Sequence, residues 1–380
     1  MEFELEKSQK EIQKAVREFA KGECDKEVAH EMDKSSAFPT RIWQNAAQLG
    51  FIGIHFPEEF SGGGMGVLEN ALIAEEFCKK DSTIGAAIML SCFAAEYLWR
   101  FGSDQQKEAF LPDIMEGKML SGAAFYGAEP QPGSTAHAPV AEKISDGWLL
   151  SGNIEYVING GKSGFYCALC SNSDDKSHLS MVMVKDGLDG LGFDGFYDKL
   201  GLRMTPTARM TLDKVAIASE DLIGKKNQGE KQAKRILAES WVLIAALALG
   251  TAQGALDRSL DYVKKREQFG KKIARFQVTQ HKLAEMAAQI EQTRFLSYAA
   301  AKSFDSRKPE VKLAAMAKLG ATRTAVAVAS ESVQLLGGYG YMTEYDVERF
   351  YRDAKTLELI GGNAVNIKNV IAENVIGRIR

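Results

Sequence analysis

Apolar residues recur at helical spacing through the first third of the chain. Ile12, Ala15, Val16 and Phe19 fall on one face of a 3.6-residue period, so the pattern predicts an amphipathic helix there. Phe38 and Pro39 open a second helix, which ends at Leu49 and Gly50. Ser61, Gly62, Gly63 and Gly64 read as a loop, because successive glycines lose too much backbone entropy to sit inside a helix. Helical spacing resumes over residues 68–101, and Leu111 with Pro112 predicts the start of another short helix. From residue 119 the pattern changes. Short apolar runs at 148–150, 156–158, 166–169 and 179–184 are punctuated by Gly, Ser, Asn and Asp, which predicts strands joined by turns. Beyond about residue 230 the helical period returns in long stretches at 236–266, 277–304 and 312–336. The predicted fold class is therefore α+β: an N-terminal helical domain over residues 1–118, a middle β-barrel or sandwich domain over 119–225, and a C-terminal four-helix-type bundle over 226–380.

Composition narrows the function classes. The 380 residues carry a net charge of −3, which gives no reason to expect a nucleic acid or an anionic membrane as partner. The most apolar run, at 241–249, is far shorter than the ~20 residues of a membrane span. The acidic start has no apolar core of a secretory signal, so a cytoplasmic location is expected. The five cysteines have no disulfide spacing. Cys167 and Cys170 form a C-x-x-C, but on a strand they point to opposite faces, and no second pair completes a metal site. Buried thiols are expected. His55 and His281, without partners at metal spacing, read as structural.

Two segments carry chemistry. In the first, Arg266 ends a long helix and is followed by Phe269, Gly270, Phe276 and Gln277. Arginine can grip a pyrophosphate with two parallel hydrogen bonds, and Phe269 and Gln277 could hold an adenine and ribose. A helix C-terminus whose cations favour its dipole explains the same residues. In the second, Gln334 precedes Gly337, Gly338 and Gly340, with Glu344, Arg349, Arg352 and Asp353 downstream. Paired glycines let a ligand approach the backbone and offer amides to an anion; they also serve as a helix C-cap.

Both segments, and the helical–β–helical order, resemble the acyl-CoA dehydrogenase family over essentially the whole chain. The resemblance implies FAD, an acyl-CoA or enoyl-CoA substrate, an electron-transfer flavoprotein or similar carrier, and a homotetramer. Arg266, Phe269 and Gln277 would reach the FAD of a neighbouring subunit, and Gln334, Gly337 and Gly338 its adenosine end. In the middle domain, Phe125, Gly127, Ala128, Glu129, Pro130, Gly133, Ser134 and Thr135 resemble the family's Ser/Thr-Glu-Pro-x-x-Gly-Ser-Asp loop against the isoalloxazine, with Ser134 reaching the CoA arm. Ala128 and Thr135 depart from that pattern. Tyr156, Val157 and Ile158 resemble the family's aromatic wall beside the flavin, although Ile158 stands for a threonine. A lost hydroxyl bond is worth only ~0.5–1.5 kcal/mol, so FAD is still expected. The stretches 198–203 and 222–224 also match, in a structural role.

The family's base is a glutamate that removes the acyl α-proton. Ungapped alignment from Arg352, Asp353, Ala354 and Lys355 places it on Gly361, with Asn363 nearby as a helix cap or flavin contact. Some members carry the base on the long helix, at a position that falls here on Ser240, with Trp241 where an arginine is common. Glu239 is the neighbour, about 100° round the helix. It is the candidate base if the helix is shifted there, and a solvated helix glutamate otherwise. Tyr341, His137 and Cys92 are weaker candidates. Open space at Gly361 and Trp241 would admit a bulky or cyclic acyl group. Three readings follow: an acyl-CoA oxidoreductase with a displaced acid/base, a same-fold flavoprotein with other chemistry such as oxygen use, and a non-catalytic FAD-binding paralogue.

Overall fold

The computed structural model describes residues 4–124, 138–174, 178–306 and 308–377. Helices α1 (Lys7–Glu23), α2 (Lys26–Ser35), α3 (Thr40–Gln48), α4 (Val67–Lys80), α5 (Ser82–Met89), α6 (Ala95–Phe101) and α7 (Asp104–Met115) come first. Pro112 lies in the last turn of α7 rather than opening a helix. Ser103 starts that helix instead, accepting from Gln106 N–H while Gln106 reaches back to Ser103 N–H. This capping box outweighed the proline as a start signal. α4 buries nearly every side chain, including two glutamates. Glu75 accepts from Arg294 at 2.9 Å and from the Tyr298 hydroxyl at 2.7 Å, and Glu76 pairs with Arg17 at 2.6 Å.

The middle of the chain forms strands β1 (Ser121–Ala124), β2 (Val140–Ile144), β3 (Gly147–Ile158), β4 (Phe165–Asn172), β5 (Leu179–Lys185), β6 (Leu191–Phe196) and β7 (Thr207–Ile217). They join in one sheet in the order β1-β4-β2-β3-β7-β6, with β5 on β4 and β1 also on β3. The apolar runs at 148–150 and 156–158 belong to one strand, β3. Gly152 marks an irregularity in its pairing with β7, not a turn. Cys167 packs into the core shared with the helices and Cys170 into the interior of the sheet domain, so the two thiols do face opposite ways.

The C-terminal helices are α8 (Gly229–Lys265), α9 (Gln277–Asp305), α10 (Val311–Leu336), the single turn α11 (Gly338–Tyr341), α12 (Val347–Leu357) and α13 (Ala364–Ile376); a short hairpin of β8 (Glu267–Gln268) and β9 (Lys271–Lys272) joins α8 to α9. By composition α8 is apolar enough to cross a bilayer, but 78% of its most apolar window is buried inside the protein. Its apolarity reflects a central position, packed on α4, α9, α10 and α12.

One buried carboxylate joins all three regions. Asp353 of α12 accepts from the Leu202 N–H at 2.6 Å, from the Thr83 hydroxyl at 2.5 Å and from the Ser82 hydroxyl. Beside it, Arg349 pairs with Asp81 at 2.6 Å, and Arg352 with Asp33 at 2.7 Å and the Leu200 carbonyl at 3.0 Å. Gly201 lies so close to the α12 backbone that a Cβ there would overlap the Arg352 carbonyl. The charges after Gly340 are therefore the joint between helical domain, sheet and bundle.

Burial pushes the Asp353 carboxyl up from 3.8 to about 6, against its three donors. The folded protein thus holds this proton to higher pH than the unfolded chain does. The contribution is full below pH 3.8 and is lost as pH rises through about 6. Asp353→Asn is expected to remove that slope, read as the pH dependence of the urea midpoint relative to wild type. Asp353→Ala, which strands the donors and the nearby Arg349, is expected to cost about 3–5 kcal/mol in the same measurement.

Candidate functional site

The segments around Arg266 and Gln334 meet on one surface of the bundle. Tyr262, Arg266, Gln268, Gln334, Gly337, Gly338, Tyr339 and Met342 line an open cavity of about 490 Å³, within the size range of cofactor sites. The Arg266 guanidinium stands 5.8 Å from the centre of the Tyr339 ring. Gly337 and Gly338 present bare backbone to open space, with nothing within 4 Å of where a Cβ would be. Gly340 differs, since a Cβ there would strike the Val333 carbonyl. Phe269 is 91% exposed, edge-on to Phe276, and Gln277 is exposed at the start of α9. A guanidinium with no ion-pair partner among the described residues, aromatic faces and an unobstructed glycine backbone fit the adenosine and pyrophosphate half of FAD.

The loop residues Phe125, Gly127, Ala128, Ser134 and Thr135 lie outside the described residues. On β3 a register irregularity between Ile154 and Val157 puts Tyr156 in the left-handed region at φ 56° and turns its side chain outward, 59% exposed. Its ring packs 5.0 Å from that of Tyr197. Val157 and Ile158 are buried, so a ligand alongside would meet their backbone and not their side chains. Asn159, also left-handed, donates to Leu90 O at 2.9 Å and Ser121 O at 3.0 Å, anchoring this end of β3 to the helical domain.

Gly361 lies between α12 and α13 at φ 73°. A Cβ built there would stand 3.7 Å from Ser240 Oγ and 3.4 Å from Trp241 Cδ1, and would overlap Ile244 Cδ1. The two positions at which the family resemblance puts a base thus face each other, and neither carries a carboxylate. Among the described residues, side chains and not the expected open space adjoin the Gly361 Cα. Ile244 takes that space, and the buried Trp241 ring closes it by donating from Nε1 to the Gly361 carbonyl at 2.7 Å. Lys318, 1% exposed, holds the same loop by donating to the Glu358 and Gly362 carbonyls, both at 2.8 Å. Only its place in an Ala-rich apolar stretch hinted at this. Asn363 caps α13, its Oδ1 accepting from Val365 N–H and Asn366 N–H.

Ser240 also lines a cavity of about 30 Å³ between α4, α5, α6 and α8, with His55, Asn70, Cys92, Glu96 and Glu239. α8 is continuous through this region, without the shift that a displaced base seemed to require. Even so, Glu239 and Ser240 open onto the same cavity. Nor is Glu239 solvated: its side chain is 11% exposed and accepts from Arg100 at 3.1 and 3.2 Å. Burial raises its pKa, the nearby Glu96 raises it further, and Arg100 opposes both. His55 is not the isolated histidine expected, since its Nε2 meets the Glu96 carboxylate.

Residues 6–118 match the family description "Acyl-CoA dehydrogenase, N-terminal domain" and residues 227–376 "Acyl-CoA dehydrogenase, C-terminal domain". A Bacillus subtilis (strain 168) protein described as a probable acyl-CoA dehydrogenase is 37% identical, covering 99% of this chain and 100% of its own. An acryloyl-CoA reductase (NADH) of Anaerotignum propionicum is 34% identical, covering 100% and 97%. Butyryl-CoA dehydrogenase from Megasphaera elsdenii superposes with a TM-score of 0.93 at 30% identity, covering 99% and 100%. The chain belongs to the acyl-CoA dehydrogenase family, whose members are FAD flavoproteins acting on the CH–CH group of acyl-CoA thioesters.

Two outcomes test this geometry. Gly361→Glu is expected to destabilise the protein by about 1–3 kcal/mol from backbone strain, with a smaller part from displacing the Ile244 terminal methyl. Adding Ile244→Ala should recover the second part, read by urea unfolding. Burial lowers the Lys318 pKa from 10.5 to about 8. The unfolded chain therefore binds the extra proton between these values, and wild type should gain stability against Lys318→Met as pH rises from 8 to 10.5.

Proposed function

We propose that this protein is an FAD-dependent oxidoreductase of the Cα–Cβ bond of an acyl-CoA, with its acid/base moved from position 361 to Glu239. The observation that carries this is a buried carboxylate that lines one cavity together with Ser240, whose hydroxyl would stand 3.7 Å from a Cβ at position 361. FAD supplies the hydride acceptor for dehydrogenation, or the donor for the reverse reduction of an enoyl-CoA. Glu239 takes the α-proton in one direction and returns it in the other. Arg100 fixes the carboxylate and supports its charged form, while burial raises its basicity towards the range useful for proton transfer. Trp241 and Gly361 wall the acyl site, and Ser134 reaches the CoA arm. Phe125, Gly127, Ala128, Tyr156, Val157 and Ile158 border the flavin, with Asn363 at the near end of α13.

Arg266, Phe269, Gln277, Gln334, Gly337 and Gly338 hold the adenosine half of a neighbouring subunit's FAD in a homotetramer, consistent with their exposure. The functional division of the chain falls near residues 118 and 225. The electron partner is an electron-transfer flavoprotein or similar carrier, in the cytoplasm. One observation favours a second reading, a flavoprotein of this fold with other chemistry: Ile244 occupies the space where the usual carboxylate would stand.

An anaerobic titration of the FAD-loaded protein against saturated acyl-CoAs, and of its reduced form against enoyl-CoAs, separates the two. Bleaching or reoxidation by one thioester is expected. Its rate should fall about 10²–10⁴-fold in Glu239→Gln with thioester affinity kept. The acid limb of dehydrogenation should lie above the ordinary carboxylate range, because burial raises the Glu239 pKa and the base must be ionised. A spectrum that shifts without bleaching across the whole panel would overturn this reading in favour of the second.

A further inference from the structure

The cavity beside Ser240 is small, and most of its wall is apolar. On α8, Ile236, Glu239, Ser240 and Leu243 recur at helical spacing and line it together. Val67 and Ala71 of α4 also line it, with Met89 at the end of α5 and Phe93 in the turn that follows. Both α4 and α5 pack on α8. Ala71, Met89 and Phe93 are themselves buried, so packed protein stands behind this wall. The two carboxylates of the lining are already answered. Glu239 accepts from Arg100 at 3.1 and 3.2 Å, and Glu96 meets the His55 ring. What remains for a ligand to touch is mostly hydrocarbon.

The cavity measures about 30 Å³. One water-sized group needs about 10–15 Å³, so about two such groups fill it. Ser240 places it beside the site of proton transfer, since its hydroxyl would stand 3.7 Å from a Cβ at position 361. An acyl chain that brings its Cα to Glu239 therefore has room for about two carbons beyond Cβ. Resting on the function proposed above, we infer that the substrate is a straight-chain acyl thioester of about three to five carbons, and that Met89 of α5 and Leu243 of α8 are two of the side chains that set this limit. A longer chain meets packed side chains, and overfilling such a site is as unfavourable as overpacking a core.

The test is calorimetric binding of a straight-chain series to the FAD-loaded protein: propionyl-, butyryl-, valeryl-, hexanoyl- and octanoyl-CoA. Affinity is expected to peak at one of the first three and to fall at least about ten-fold by octanoyl-CoA, because one methylene in an apolar pocket can carry that much. Leu243→Ala and Met89→Ala each enlarge the cavity and are expected to move the peak to a longer chain. An unmoved peak in both variants, with their folding verified by circular dichroism, would overturn the inference. Should both variants misfold, the wild-type series still decides. Hexanoyl- or octanoyl-CoA binding as tightly as the three shorter thioesters would also overturn it, while the proposed oxidoreductase would stand. Failure of every thioester to bind would overturn both.

Discussion

A carboxylate shut away from water must find its donors inside the protein, and Asp353 finds them on two pieces of chain far from its own. Ser82 and Thr83 come from the N-terminal helices, Leu202 from the loop before β7, and Asp353 itself from α12. If any one region drifts away, a buried acceptor or donor is stranded at a cost of about 1–3 kcal/mol. Arg349 and Arg352 extend the arrangement, so that the first turns of α12 hold Asp81, Asp33 and the Leu200 carbonyl together. The candidate site depends on this joint. Tyr156 is carried by the sheet, His55 and Glu96 by the N-terminal region, and Glu239, Ser240 and Gly361 by the bundle. Their relative placement is only as exact as the packing of those regions.

Much of this was legible in the pattern of residues. Period 3.6 at both ends and short punctuated runs between them were enough for the three-part order. The surface formed by Arg266, Gln334, Gly337 and Gly338 was legible because each residue lies at a helix end, where local sequence controls which backbone groups are free. Pro112 misled as a helix start because the capping box at Ser103 outranked it, and Gly152 could not reveal that β3 runs on through an irregularity. The downstream charges stood out only as part of the family's pattern. Their joining role needed partners as distant in sequence as Asp33 and Asp81, which no local pattern supplies.

The interior of the site was the least legible part. Glu239 was framed as either a base on a shifted helix or a solvated glutamate, and it is neither. It is buried on an unbroken helix, because Arg100 of α6 comes across to meet it. His55 seemed alone because Glu96 is 41 residues away. Lys318 gave no signal beyond an odd charge in an apolar stretch, yet it fixes the loop that positions Gly361. Each of these depends on a tertiary pairing of a polar side chain with a side chain or carbonyl distant in sequence, and burial makes such pairings obligatory without making them predictable.

The arrangement around Gly361 also bears on how an acid/base can move within a fixed fold. A glutamate at 361 needs room beside Ser240 and a backbone that an L side chain tolerates. Here Ile244 takes the room, the backbone is left-handed, and Trp241 and Lys318 hold it so through three carbonyl hydrogen bonds. The nearby cavity has the opposite character. It carries two carboxylates, a histidine and an amide among apolar side chains such as Val67, Met89, Phe93 and Leu243. Burying that much polarity is costly unless it handles a proton, meets a polar ligand, or does both. The same physics that makes Asp353 a joint, a buried charge that must be answered, applies to Glu239, which Arg100 answers across the helix interface.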